Sequence, residues 1–288
     1  MRYHRPATLA EALDIRARAD VMPLAGGTDV YPAKVTRAGW GDMRHKDLLD
    51  LSLLADLRSV CESAEGWRIG ALTTWSEIAS APLPPAFDGL KSAAREVGGV
   101  QIQNRGTLVG NICTASPAGD GAPSLLALDA SVELASRDGR RVVAMRDFIT
   151  GYRTTACAPH ELVTAILVPR PAEGARSAFL KLGARRYLVI SIAMVGGVVE
   201  ADANGLVTHI RLGIGACAAT PQRLDALERE LIGTPLATAS SRATSSHLAH
   251  LSPIDDVRAS ATYRRGAALQ LTRDLLHTLA TQTSRRAA

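Results

Sequence analysis

The stretch Gly106-Thr107-Leu108-Val109-Gly110-Asn111-Ile112-Cys113-Thr114-Ala115-Ser116-Pro117-Ala118-Gly119-Asp120 gathers glycines, two threonines, a serine, an asparagine and a closing aspartate into fifteen residues. Glycine lets backbone amides approach a ligand closely and short side chains add hydrogen bonds, so the pattern suits a loop that cradles phosphate. A polar surface loop has the same composition and stays open as a reading. A second segment bears on the choice. Residues 21–25 read as a strand running into Gly26-Gly27-Thr28-Asp29, after which residues 30–35 begin a helix. Strand, glycine pair, hydroxyl residue and helix start is the order in which helix-start amides, lacking intrahelical partners, face an anion. The segment is neither a Walker A loop nor G-x-G-x-x-G, and a plain glycine turn fits it as well.

The 288 residues are enough for two domains, and 47% hydrophobic with 21% charged residues describes a globular chain rather than a disordered one. The longest apolar run, residues 187–199, is too short to span a bilayer and reads as a buried strand. The N-terminus lacks the apolar segment of a signal peptide, so a cytoplasmic location is expected, with no membrane insertion. Cys61, Cys113, Cys157 and Cys217 are widely spaced, without a zinc or iron–sulfur pattern, and read as small buried apolar residues. His247 and His250 read as a solvated face. The net charge of +5 comes from dispersed arginines, and aromatic residues are only 4%, which argues against nucleic acid.

Along the first half, Thr8-Leu9-Ala10-Glu11 is a capping box opening a helix, and Thr74 to Glu77 is a second one before a helix that Pro82, Pro84 and Pro85 end. Residues 46–54, 67–72 and 162–168 read as strands. Residues 90–97 and 124–130 read as helices, and residues 132–135 pair with 141–144 across Asp138-Gly139. A linker is expected at residues 170–176. Beyond it, residues 179–182, 188–200 and 207–216 read as strands, the last two joined by an Asn204-Gly205 hairpin, with helices over 221–232 and 259–280.

Together, Leu24-Ala25-Gly26-Gly27-Thr28-Asp29, Ile102-Gln103-Asn104-Arg105-Gly106-Thr107, Gly110-Asn111, Ala115-Ser116-Pro117 and Asp120 resemble the two flavin-binding loops of the FAD subunit of molybdenum hydroxylases. That group includes the xanthine dehydrogenase and carbon monoxide dehydrogenase families. The resemblance continues through Arg68-Ile69-Gly70-Ala71, residues 161–169, Lys181, Arg185-Arg186 and residues 260–265, covering nearly the whole chain. It implies an α+β fold: a vanillyl-alcohol-oxidase-type (PCMH) FAD-binding domain of two α/β subdomains over residues 1–172, then a small α+β domain over 177–283. The small domain would carry a three-stranded antiparallel sheet and helices.

By the same resemblance, Leu24, Ala25, Gly26, Gly27, Thr28, Asp29 and Val30 wrap the FAD pyrophosphate. Gly106, Thr107, Gly110, Asn111 and Thr114 hold the pyrophosphate and the flavin end, and Asp120 accepts hydrogen bonds from cofactor hydroxyls or loop amides. Val163 is implied to touch the cofactor through its backbone, Lys181 to lie near the flavin as a cation favouring its anionic reduced form, and Ile190 to shield the flavin face. The chain departs from the family at Val109, where a glycine is usual, so that amide is expected to approach a ligand less closely. The implied protein is the FAD-carrying, electron-transferring subunit of a complex. A small [2Fe-2S] subunit would supply electrons, a large subunit would bind the molybdopterin cofactor, and NAD or another acceptor would take the electrons away. The alternatives are a self-contained NAD(P)H-dependent flavin reductase of the same fold and a docking subunit without flavin.

Overall fold

Helix Leu9–Arg18 begins where Thr8 Oγ1 accepts from Glu11 N at 3.2 Å; Glu11 reaches back one residue further than a capping box does and accepts from Ala7 N at 2.8 Å. The structure, a computed structural model, describes residues 1–39 and 46–286. Ala12 and Leu13 of this helix are buried beside a three-stranded parallel sheet ordered Tyr3–His4, Asp47–Asp50, Val21–Leu24. Parallel neighbours need a crossover, and helix Val30–Gly39, after the glycine pair that follows Val21–Leu24, lies in the one that leads to Asp47–Asp50; the first helix joins the two outer strands. The strand expected over 46–54 is shorter and stops at Asp50. The Asp50 carboxylate accepts from Ser52 N at 2.9 Å and Ser52 Oγ at 3.0 Å, and this Asx turn breaks the extended run.

The second layer is a five-stranded antiparallel sheet ordered Val60–Glu62, Gly66–Gly70, Leu162–Pro169, Ser131–Ser136, Gly139–Ala144. The expected hairpin is present, but Ser136 pairs with Gly139, so its two-residue turn is Arg137-Asp138 and Gly139, at φ 140°, opens the return strand. The capping box at Thr74 and Glu77 starts helix Trp75–Ser80, and helices Asp88–Glu96 and Gly121–Ala127 lie where the apolar spacing placed them, within a few residues. Trp75, Phe87, Leu90, Leu108, Ile112, Leu125 and Leu134, all essentially inaccessible, fill the core that joins these helices to the sheet.

The third layer is antiparallel, Arg176–Leu182, Ala193–Ala201, Val207–Gly215, with a two-residue fourth strand, Gln222–Arg223, added to the implied three. Residues 222–223 are therefore not helical, and the following helix is Asp225–Leu231. The strand expected from residue 188 begins at Ala193. Leu188 has φ 54°, and Tyr187, Leu188 and Ile190 are exposed, so the start of the apolar run is a projecting loop. The Asn204-Gly205 turn spans five residues: Ala201 pairs with Val207, and Asp202 Oδ1 accepts from Asn204 N and Leu206 N.

Alternation along the middle strand decides what covers this sheet. A β-carbon on Gly196 would stand 2.8 Å from Ser124 N, and one on its cross-strand partner Gly213 would stand 2.4 Å from Pro123 O. A β-carbon on Gly197 would instead meet Leu275 at 2.5 Å. One face thus carries helix Gly121–Ala127 from the first half, and the other carries the C-terminal helix Ala261–Arg286, whose Leu275, Leu276 and Leu279 are fully buried in a second core.

Candidate functional site

The two glycine-bearing segments meet backbone to backbone. A β-carbon on Gly26 would lie 1.9 Å from the Arg105 carbonyl oxygen and 2.9 Å from Gly106 Cα, an approach that only glycine permits. From the other side, a β-carbon on Gly106 would stand 3.3 Å from Thr28 Oγ1. Side chains add a second tie: Thr114 Oγ1 donates to Asp29 Oδ2 at 3.4 Å. Arg153 reaches the same oxygen at 3.3 Å while its own N–H donates to Ala115 O at 3.0 Å. A third tie anchors the pair to the capping-box helix, through Trp75 N to Gly106 O at 3.1 Å and Leu108 N to Thr73 O at 3.3 Å. Gly27, at φ 75°, turns the chain beneath the Tyr31 ring into helix Val30–Gly39. Among the described residues none accepts a hydrogen bond from the amides of Gly26, Gly27, Thr28 or Asp29. The half-buried turn after Leu24 and Ala25 therefore presents free donors at a helix start.

The Gly106 to Asp120 stretch is not a loop. Residues Leu108–Thr114 form a helix with Thr107 as N-cap, its Oγ1 accepting from Gly110 N at 2.9 Å, and the helix ends at Ala115 in the left-handed region, φ 48°. A β-carbon on Gly110 would stand 2.9 Å from that same Thr107 oxygen. Asn111 Oδ1 accepts from Gly121 N at 3.2 Å, and Ser116 Oγ accepts from Ala118 N at 3.3 Å. The Val109 side chain is buried in the first core with Leu108 and Ile112, and its N–H has no acceptor among the described residues.

Asp120 closes the stretch inside the protein. Only 6% exposed, it receives Lys181 Nζ on Oδ2 at 2.7 Å and Ser191 Oγ on Oδ1 at 2.7 Å, and Lys181 also donates to Glu96 O at 3.3 Å. Burial raises the Asp120 carboxyl above the ordinary carboxylate range, against the pull of the Lys181 ammonium and the Ser191 hydroxyl. Asp120 and Lys181 thus form a buried ion pair, and the Asp120 side chain makes no cap hydrogen bond to the following helix. Ser191 joins the set unforeseen.

Of the remaining residues, Val163 is buried in the first core, in the central strand at a register shift opposite Leu134 and against helix Leu108–Thr114. Ile190 stands half-exposed beside Ser191, outside the hydrogen-bonded set. Arg153 was also missed; a lone arginine in a turn carries no pattern that marks it. Ser191 had a signal, being the one serine or threonine in the apolar run. His247 is not on a solvated face: it is buried, with Nε2 2.9 Å from Glu230 Oε2 and Nδ1 accepting from Thr244 N at 3.2 Å.

Two backbone turns clasped around open amides, followed by an antiparallel sheet that returns a lysine to the clasp, define a nucleotide-cofactor subunit. Residues 1–171 match the FAD binding domain in molybdopterin dehydrogenase and residues 178–279 the CO dehydrogenase flavoprotein C-terminal domain, so the chain belongs to the FAD-binding subunit family of molybdenum hydroxylase-type dehydrogenases. It is an oxidoreductase component of the xanthine and carbon monoxide dehydrogenase type. The nicotinate dehydrogenase FAD-subunit of Eubacterium barkeri is 33% identical over 84% of this chain and 83% of that one. The xanthine dehydrogenase FAD-binding subunit of Escherichia coli is 32% identical over 91% of this chain and 90% of that one. A reconstituted CO dehydrogenase from Oligotropha carboxidovorans has a chain that superposes with a TM-score of 0.89 at 30% identity, covering 96% of both chains. No helix among the described residues is long and apolar enough to cross a membrane.

Proposed function

We propose that this chain holds FAD between the turn at residues 24–30 and the stretch at 106–120. It would receive electrons from a small [2Fe-2S] partner subunit of a cytoplasmic complex and pass them to NAD or another acceptor. A large molybdopterin-binding subunit completes the assembly, since relatives bear the names of FAD subunits and medium chains of such dehydrogenases. We place the domain boundary between 172 and 177, at a turn where Gly174 has φ 78° and a β-carbon there would meet nothing within 4 Å.

The observation that carries the reading is the contact of Gly26 with Arg105 and Gly106 beside amides that no described residue uses. A pyrophosphate asks for converging donors at a positive helix end, and the amides of Gly26, Gly27, Thr28, Asp29 and Val109 with the Thr28 hydroxyl are that donor set. Leu24, Ala25 and Val30 frame the turn. Gly106, Thr107, Gly110, Asn111 and Thr114 hold the opposing wall, Thr107 by its cap and Asn111 by gripping Gly121. Asp120 and Lys181 act as one neutral unit that fixes polar atoms at the wall, with the Val163 backbone below and Ile190 over the outer side. FAD, when bound, supplies a two-electron store that turns single-electron arrivals into a pair, and no side chain here is assigned as nucleophile or general base.

The full chain, purified and then denatured, should release FAD in a one-to-one ratio, identified by mass. Its native complex should contain molybdenum and iron. A colourless chain that takes up no added FAD overturns the proposal, and steady NADPH oxidation by the chain alone supports the reductase of the same fold instead.

A further inference from the structure

Arg264 lies in the first turns of the C-terminal helix and is almost wholly buried, at 3% exposure. A charge buried so deeply needs a function or a complete set of partners. Asp256 binds one end of the guanidinium, Oδ1 to NH2 at 2.6 Å. The other end donates from NH1 to two backbone carbonyls, Ile192 O at 2.7 Å and Ala216 O at 3.4 Å. Nε is buried without a partner among the described residues, so the side chain is held by its ends for these contacts.

The two carbonyls belong to two segments that each tie to the Asp120 region. Ile192 follows Ser191, whose hydroxyl donates to Asp120 Oδ1, and Ile192 N donates to Leu182 O, next to Lys181. Ala216, in the left-handed region at φ 61°, donates its N–H to Pro117 O within the 106–120 stretch. One guanidinium therefore fixes both backbone turns that bring Ser191 and residues 117–120 together.

We propose that Arg264 is the positioning residue of the flavin site, setting the Ser191–Asp120–Lys181 cluster through the Ile192 and Ala216 carbonyls without touching the cofactor itself. The inference rests on the assignment of FAD to the clasp. Rigid support from outside the contact shell decides how well a site holds its ligand.

The test compares two arginines on the same helix. Arg273 donates to Ala243 O at 3.0 and 2.9 Å, away from the site, and so matches Arg264 in chemistry but not in position. Stripped full-length chain is titrated with FAD, following fluorescence quenching and the visible circular dichroism of the bound flavin. Losing charge-assisted bonds of this kind should weaken FAD binding by about tenfold or more in Arg264→Met and alter its dichroism. Arg264→Lys should recover part of the affinity. Arg273→Met should lower the melting temperature while leaving FAD affinity within about twofold. Equal weakening in Arg264→Met and Arg273→Met, or none in either, overturns the proposal. If Arg264→Met does not fold, Arg264→Lys decides: native dichroism and affinity overturn the proposal, and an altered spectrum supports it. A wild-type chain that binds no FAD at all overturns the underlying assignment instead.

Discussion

The turn at residues 24–30 and the stretch at 106–120 are built from the same kinds of residue and use them in opposite ways. In the first, backbone amides face outward without partners and glycine is required by what lies behind it, the Arg105 carbonyl. In the second, almost every polar side chain is engaged within the protein: Thr107 on Gly110, Asn111 on Gly121, Ser116 on Ala118, Asp120 on Lys181 and Ser191. One segment is an open rim and the other a braced wall. Glycine-rich composition alone does not distinguish them, because the same residues serve either ligand approach or self-support.

Breaking the wall should cost most. Lys181→Met leaves a carboxylate buried beside Ser191 alone and should lower unfolding free energy by about 3 kcal/mol in urea titrations; a loss under about 1 kcal/mol would remove the ion pair from the list of what holds the wall. Next comes the seam, where Gly26→Ala puts a methyl into the Arg105 carbonyl. It should cost about 2 kcal/mol and release bound FAD, read as flavin per chain after gel filtration. A matched pair of threonines then separates rim from wall. Thr107→Ala loses a helix cap and about 1 kcal/mol of stability, whereas Thr28→Ala should keep stability within about 0.5 kcal/mol and weaken FAD binding. If both variants changed stability alone, the rim would have no part in holding a ligand.

The smallest effects are in acid. Glu161 accepts from Arg141 at 2.6 and 2.7 Å and from Ala158 N at 2.7 Å, so its carboxyl titrates below the usual range, Arg141 being the main cause. A depressed group adds stability above its unfolded pKa and loses it as pH falls through the folded one, so Glu161→Gln should flatten the decline of the urea midpoint between about pH 6 and 3. Asp120 is shifted upward by burial, the folded state binds its proton more readily, and acidification through its titration favours folding. Asp120→Asn should accordingly steepen the same decline. Parallel changes in the two variants would contradict the opposite placements of these carboxyls.

Local chemistry was legible wherever a side chain acts on its own neighbourhood. Thr8 with Glu11 and Thr74 with Glu77 announce their helices, and the order of strand, glycine pair and helix at 21–39 is present as read. The 106–120 stretch hid a helix of seven residues because glycine and threonine there look like loop residues, although Leu108, Val109 and Ile112 carry a buried helical face. The run from 187 failed for the opposite reason: it is apolar but for Ser191, yet Leu188 turns left-handed and the chain projects before pairing begins at Ala193. Asp120 was placed at the site, but its partners Lys181 and Ser191 lie 61 and 71 residues away, and no local pattern specifies which buried carboxylate a distant lysine meets. Val109 shows the same limit on one residue, since a family comparison of loops cannot tell which way its side chain points.

The Asp120 cluster also fixes an order of events during synthesis. Its members come from residues 120, 181 and 191, and the arginine behind them is residue 264 of 288. A nascent chain whose first 170 residues have folded on the ribosome still leaves Asp120 without its cation, and the frame closes only after the helix carrying Arg264 has emerged. A product truncated before residue 264 thus lacks the guanidinium that braces the Ile192 and Ala216 carbonyls.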